Sequence, residues 1–129
     1  MVTFGGHGAN GKKVLIVDDD PEYLPLLEMT LKKRGFAVVA VCNGEVGFER
    51  SKSEKPDLVV FDIKMPKMDG YTFLRRLRKD PETKDIPAIV LTAYEPLKDL
   101  FRWEGASGFF LKSSPMKELL KLIEENLNL

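Results

Sequence analysis

The stretch Val14-Leu15-Ile16-Val17-Asp18-Asp19-Asp20-Pro21 decides how the rest of the chain is read. Four apolar residues, three of them β-branched, run directly into three acids and a proline. An unbroken apolar run this short suits a strand covered on both faces, as in a parallel sheet. The pattern recurs at Ala37-Val38-Val39-Ala40-Val41, Leu58-Val59-Val60-Phe61, Ile89-Val90-Leu91 and Phe109-Phe110-Leu111. Between these runs, apolar residues fall at helical spacing: Leu24, Leu27 and Leu31; Phe73, Leu74 and Leu77; Leu97, Leu100 and Phe101; and Met116, Leu119, Leu120, Ile123 and Leu127. The segment from Glu45 to Ser53 carries only Val46 and Phe48 as large apolar anchors and is the weakest of the helices. Five strands alternating with five helices predict a three-layer α/β domain with right-handed crossovers.

Boundary residues agree. Asp20-Pro21 reads as an N-cap followed by proline in the first turn, and Gly35 closes that helix after Lys32, Lys33 and Arg34. Asp69 reads as the cap of the third helix, and Ser114-Pro115 as the start of the last. Residues 1–11, with His7 and several glycines, read as a flexible tail, leaving 12–129 as one domain.

The chain has 129 residues, room for one ordinary domain, and its 43% hydrophobic content is globular. Lys+Arg and Asp+Glu are both 20, so no basic excess points to constitutive nucleic-acid binding. The single cysteine, Cys42, excludes an internal disulfide and reads as a small buried residue. With no apolar run of membrane-spanning length and no signal-peptide core, a cytoplasmic protein is expected.

The polar residues at the strand ends carry the functional reading. Strand 1 runs into Asp18-Asp19-Asp20, strand 3 ends in Asp62, strand 4 in Thr92 and strand 5 in Lys112. Doubly wound sheets bind ligands at the carboxyl ends of their strands, where the strand order reverses. In the flavodoxin-like order 2-1-3-4-5 that point lies between strands 1 and 3, which deliver the acids. Carboxylates gathered there repel one another unless a cation holds them, and an all-oxygen set without imidazole or thiolate favours magnesium or manganese. A lysine and a hydroxyl beside them suit an anion such as a phosphoryl group.

The opening stretch, together with Pro56-Asp57-Leu58-Val59-Val60-Phe61-Asp62-Ile63-Lys64-Met65-Pro66-Lys67-Met68-Asp69-Gly70, resembles a response-regulator receiver domain. Ile86-Pro87-Ala88-Ile89-Val90-Leu91-Thr92-Ala93 and Gly105-Ala106-Ser107-Gly108-Phe109-Phe110-Leu111-Lys112 extend the resemblance over about residues 12 to 128. Four motifs in the right order make it specific.

The resemblance implies that Asp62 accepts a phosphoryl group. It implies a magnesium (or manganese) site made of Asp19 directly, Asp18 through water, Asp62 and the backbone carbonyl of Lys64. Thr92 matches the hydroxyl that bonds the phosphoryl group, and Lys112 the amine that pairs with it. Thr92 and Phe109 match the switch positions, although Phe109 reads equally well as plain core. Lys64 and Tyr94 match the positions that tune dephosphorylation, and their side chains predict slow decay.

The implied partners are a histidine kinase or histidine phosphotransfer protein upstream and an output protein downstream. No direct contact with nucleic acid or membrane is expected, and a monomer or phosphorylation-dependent dimer is expected. The expected readout face joins the helix near Pro96 to Glu104, strand 5 and the last helix. A stand-alone switch is expected rather than an enzyme, with catalysis limited to its own phosphorylation and slow dephosphorylation. Two other functions on related folds are a phosphorylation-independent interaction module and a haloacid-dehalogenase-type phosphatase. The intact acid, threonine and lysine set argues against the first. The second places its paired acids after the lysine, whereas here they come first.

Overall fold

The computed structural model describes residues 11–93 and 104–129. The expected tail with His7, Tyr94, Trp103 and nearly all of the helix near Pro96 to Glu104 lie outside the described residues. Five strands, β1 (Lys13–Val17), β2 (Ala37–Val41), β3 (Leu58–Asp62), β4 (Ala88–Thr92) and β5 (Gly108–Leu111), form one parallel sheet in the order β2-β1-β3-β4-β5. Among the described residues there are four helices: α1 (Tyr23–Lys33), α2 (Gly44–Ser53), α3 (Gly70–Lys79) and α4 (Met116–Asn126).

Alternation along the strands builds two cores. Val14, Ile16, Leu58, Val60, Ile89 and Leu91 face α1 and α4, where Leu27, Leu31, Leu119 and Ile123 meet them. Leu15, Val17, Val59, Phe61 and Val90 face α2 and α3, where Phe73, Leu74 and Leu77 meet them. Each fully buried Leu, Ile or Phe stabilises the fold by about 1.5–3 kcal/mol relative to exposure. The continuous apolar runs of β1, β3 and β4 follow from this double coverage. β2 and β5 depart from it: as the sheet edges they are only half-buried along most of their length.

The helix ends show which local signals were effective. Asp20 Oδ1 accepts the N–H groups of Glu22 at 2.9 Å and Tyr23 at 3.2 Å, so Asp20 caps this turn although α1 begins at Tyr23. Gly35, at φ +92°, closes α1 through its N–H to Lys32 O at 3.0 Å. Asp69 Oδ1 accepts from Thr72 N at 2.8 Å and caps α3.

Two expectations are corrected. The last helix is capped by Pro115 without a side-chain bond; Ser114 instead donates its N–H to Leu111 O, closing a turn after β5. Cys42 is exposed, because it follows the last residue of an edge strand rather than entering the core.

Candidate functional site

The site forms where β1, β3, β4 and β5 end side by side. Asp18, Asp19 and Asp62 bring one carboxylate oxygen each within 4.8 Å of one another. Asp18 is fully buried, Asp62 half-buried and Asp19 exposed. β1 and β3 pair through Val17 and Phe61, so the residues that follow them emerge together.

Backbone donors fix two of the three acids. Asp18 Oδ1 accepts the N–H of Asp20 at 2.9 Å, and Asp62 Oδ1 accepts that of Ile63 at 2.7 Å. Lys112 reaches across from the end of β5. Its Nζ lies 2.8 Å from Asp18 Oδ2 and 3.1 Å from Asp62 Oδ2, with Asp20 Oδ2 farther off at 3.9 Å. The contact to Asp62 is a hydrogen bond, and the contact to Asp18 is the shorter ion pair.

The electrostatics follow from this packing. Burial pushes the Asp18 carboxyl above the usual carboxylate range, against the opposing pull of Lys112 and the Asp20 N–H. Burial opposes the charge of Lys112, but Asp18 and Asp62 outweigh it and raise its pKa. The N–H groups of Glu22 and Tyr23 hold the Asp20 carboxyl below its ordinary value. Among the described residues, Lys112 sets one positive charge against three gathered carboxylates, so the cluster remains short of cations.

Thr92 ends β4 and is buried at 4% exposure. The Lys112 N–H donates to its carbonyl at 2.8 Å, which ties the two strand ends together. Phe109 pairs with Val90 and Leu111 with Thr92, so Phe109 lies on the Thr92 face one pleat further from the site. Its ring is half-buried against the α2–α3 core. Lys64 is exposed in the loop after β3.

The family described as response regulator receiver domain matches residues 14–124. The chain belongs to this family. As a receiver domain it is 34% identical over 110 residues to RpaA of Synechocystis, described as a DNA-binding dual master transcriptional regulator. That alignment covers 84% of this chain and 46% of RpaA. It is 37% identical over 113 residues to Protein PilH of Pseudomonas aeruginosa, covering 86% of this chain and 93% of PilH. This receiver therefore spans about half the length of RpaA and nearly all of PilH. Among solved structures, the BeF3-activated N-terminal receiver domain of Klebsiella pneumoniae RstA superposes with a TM-score of 0.84 at 34% identity, covering 91% and 99% of the two chains. Among the described residues of this receiver, no helix is long and apolar enough to cross a membrane.

The sequence reading missed two residues near the site. Asn43 caps α2, accepting Val46 N at 2.9 Å; an Asn before Gly-Glu-Val was a readable cap signal. The Tyr23 ring lies under Lys112, 4.8 Å from Nζ. The only sequence signal for it is an aromatic residue in the first turn after the acids.

Proposed function

We propose that this receiver is a phospho-acceptor switch in which Asp62 takes a phosphoryl group from the phosphohistidine of a histidine kinase or phosphotransfer protein. The observation that carries this reading is the Lys112 ammonium spanning Asp62 and Asp18 at the mouth of the sheet. A carboxylate oxygen of Asp62 forms the new P–O bond while the N–P bond to the donor imidazole breaks. The imidazole leaves with the electron pair and takes up a proton. The Ile63 N–H holds the carboxylate in place, and Lys112 sets positive charge where the phosphoryl oxygens arrive. The Thr92 hydroxyl, from the adjacent strand end, bonds a phosphoryl oxygen.

The donor chemistry fits a hard divalent cation, magnesium or manganese. The set is all oxygen, and the buried Oδ2 of Asp18 lacks a directed hydrogen bond. Asp18, Asp19, Asp62 and the backbone carbonyl of Lys64 would hold it. Bound there, it neutralises the charge of the phosphoryl oxygens.

Phosphorylation adds negative charge beside Thr92 and Lys112. The hydroxyl is drawn toward it, and Phe109 repacks into the space released. The result is a population shift between two packings. A groove of about 560 Å³ between β5 and α4, lined by Phe109, Leu111, Glu118 and Leu122, is the surface this shift alters for the output partner. The protein turns over no external substrate and works in the cytoplasm. Lys64 at the loop and Tyr94 slow hydrolysis of the acyl phosphate.

Treatment with acetyl phosphate and magnesium, followed by mass spectrometry, tests the assignment. The mass gain of one phosphoryl group is expected in the wild type and absent in Asp62→Asn. A gain that persists in the variant overturns it.

A further inference from the structure

Tyr23 stands in the first turn of α1 with its ring against Lys112 and its phenol oxygen buried without a hydrogen bond among the described residues. Buried tyrosine hydroxyls usually find a partner. Here the hydroxyl goes unmet, while the ring face is placed 4.8 Å from a desolvated ammonium. Burial pushes the phenol pKa up to about 12, so the ring stays neutral and keeps its attractive face.

The other partners of Lys112 are carboxylates with competing duties. Asp18, Asp62 and Asp20 are its anionic neighbours. Any of them engaged by a cation, or converted to an acyl phosphate, is lost or weakened as a carboxylate partner before Lys112 meets the phosphoryl oxygens. A lysine on a flexible four-carbon stem then tends to swing toward water. The ring face of Tyr23 is not shared with either ligand.

We propose that Tyr23 is a positioning residue for Lys112, its ring holding the ammonium over the phospho-acceptor while the neighbouring carboxylates are engaged. The inference rests on reading Asp62 as the phospho-acceptor, and it adds to that reading what keeps the counter-charge aligned. A purely structural tyrosine would fill the α1 side of the core and leave the ammonium indifferent to the electronics of the ring.

The test is beryllofluoride affinity in saturating magnesium, by calorimetry, for wild type, Tyr23→Phe, Tyr23→Leu and a series with increasingly fluorinated phenylalanine at position 23. Tyr23→Phe should bind like wild type, and Tyr23→Leu roughly five- to thirtyfold more weakly, as for a desolvated cation–π contact. Affinity should fall steadily along the fluorinated series, whose shape stays nearly constant while the ring face loses its negative charge. Magnesium affinity without beryllofluoride, and melting temperature, should not follow that trend.

Tight binding by Tyr23→Leu, a flat fluorinated series, or a series that lowers melting and magnesium affinity in step would overturn the proposal. Should Tyr23→Leu fail to fold, the fluorinated series decides. Wild-type protein that binds no beryllofluoride would count against the phospho-acceptor reading instead. The NMR signals of the Lys112 ε-methylene then decide the inference: displaced upfield by the ring supports it, unshifted overturns it.

Discussion

Lys67 sits at φ +70°, between Pro66 and Met68, in the loop that carries Lys64 past the phospho-acceptor. The N–H of Met68 donates to Pro66 O at 2.8 Å, a three-residue turn with Lys67 at its apex. Left-handed backbone costs a residue bearing a Cβ about 1–2 kcal/mol, and glycine adopts it freely. Lys67→Gly should therefore stabilise the protein by about 0.5–1 kcal/mol, after allowing for the greater freedom of glycine in the unfolded chain. Thermal melting measures it, and a lowered melting temperature would contradict the assignment of strain. A lysine gives no hint of positive φ, so this turn was not legible in the sequence. Asp18, Asp62, Thr92 and Lys112 were legible for the opposite reason: each ends or follows a short apolar run, and parallel strands end together. Tyr23 was hidden because its role depends on how α1 is rotated against the sheet end.

The junction of β3 and α3 shows how one element sets the geometry of the next. The Gly70 N–H donates to Ile63 O at 2.7 Å, pressing the first turn of α3 against the end of β3. A Cβ at Gly70 would meet the Asp62 carbonyl and the Ile63 Cα, both backbone atoms that no rotamer change can move aside. Gly70→Ala should destabilise the fold by about 1–3 kcal/mol, as overpacking does, even though alanine is the better helix former. It should also slow phosphorylation, because the displaced atoms belong to Asp62. Denaturant titration with the acetyl phosphate reaction checks both, and an alanine variant of unchanged stability would refute the close approach. The five strands were legible from run length and spacing, while their order came only with the flavodoxin-like fold they were assigned to. The half-exposure of β2 and β5 was not, since an edge strand in an α/β sheet can be as apolar in sequence as a central one. α2 was underrated because its burial rests on small residues: Gly44, Gly47 and Ser51 face inward while its large apolar side chains are few.

At the scale of the molecule, the acidic cluster sets function against stability. Formal charge is balanced over the chain, yet the carboxylates of Asp18, Asp19 and Asp62 converge at one end of the sheet, where Lys112 pairs with Asp18 and Asp62. Asp19 is the exposed member, so removing its charge disturbs no packing. Without divalent cation, its carboxylate lies within 4.8 Å of those of Asp18 and Asp62, and like charges that close repel. Asp19→Asn should then raise the stability of the metal-free protein by up to about 1 kcal/mol, the scale of a surface charge pair. With magnesium the sign reverses. A cation that binds only the folded state stabilises it by an amount that grows with the logarithm of its concentration over Kd. Wild type should gain melting temperature steadily with added magnesium, and Asp19→Asn, lacking a carboxylate ligand, should gain little. The two melting curves, plotted against magnesium concentration, should cross: the variant ahead in chelator, the wild type ahead at millimolar cation. Parallel curves would show that Asp19 does not hold the ion, and coincident curves that it does not repel its neighbours either. A variant less stable than wild type in chelator would show that Asp19 supports the fold in a way its exposure does not reveal.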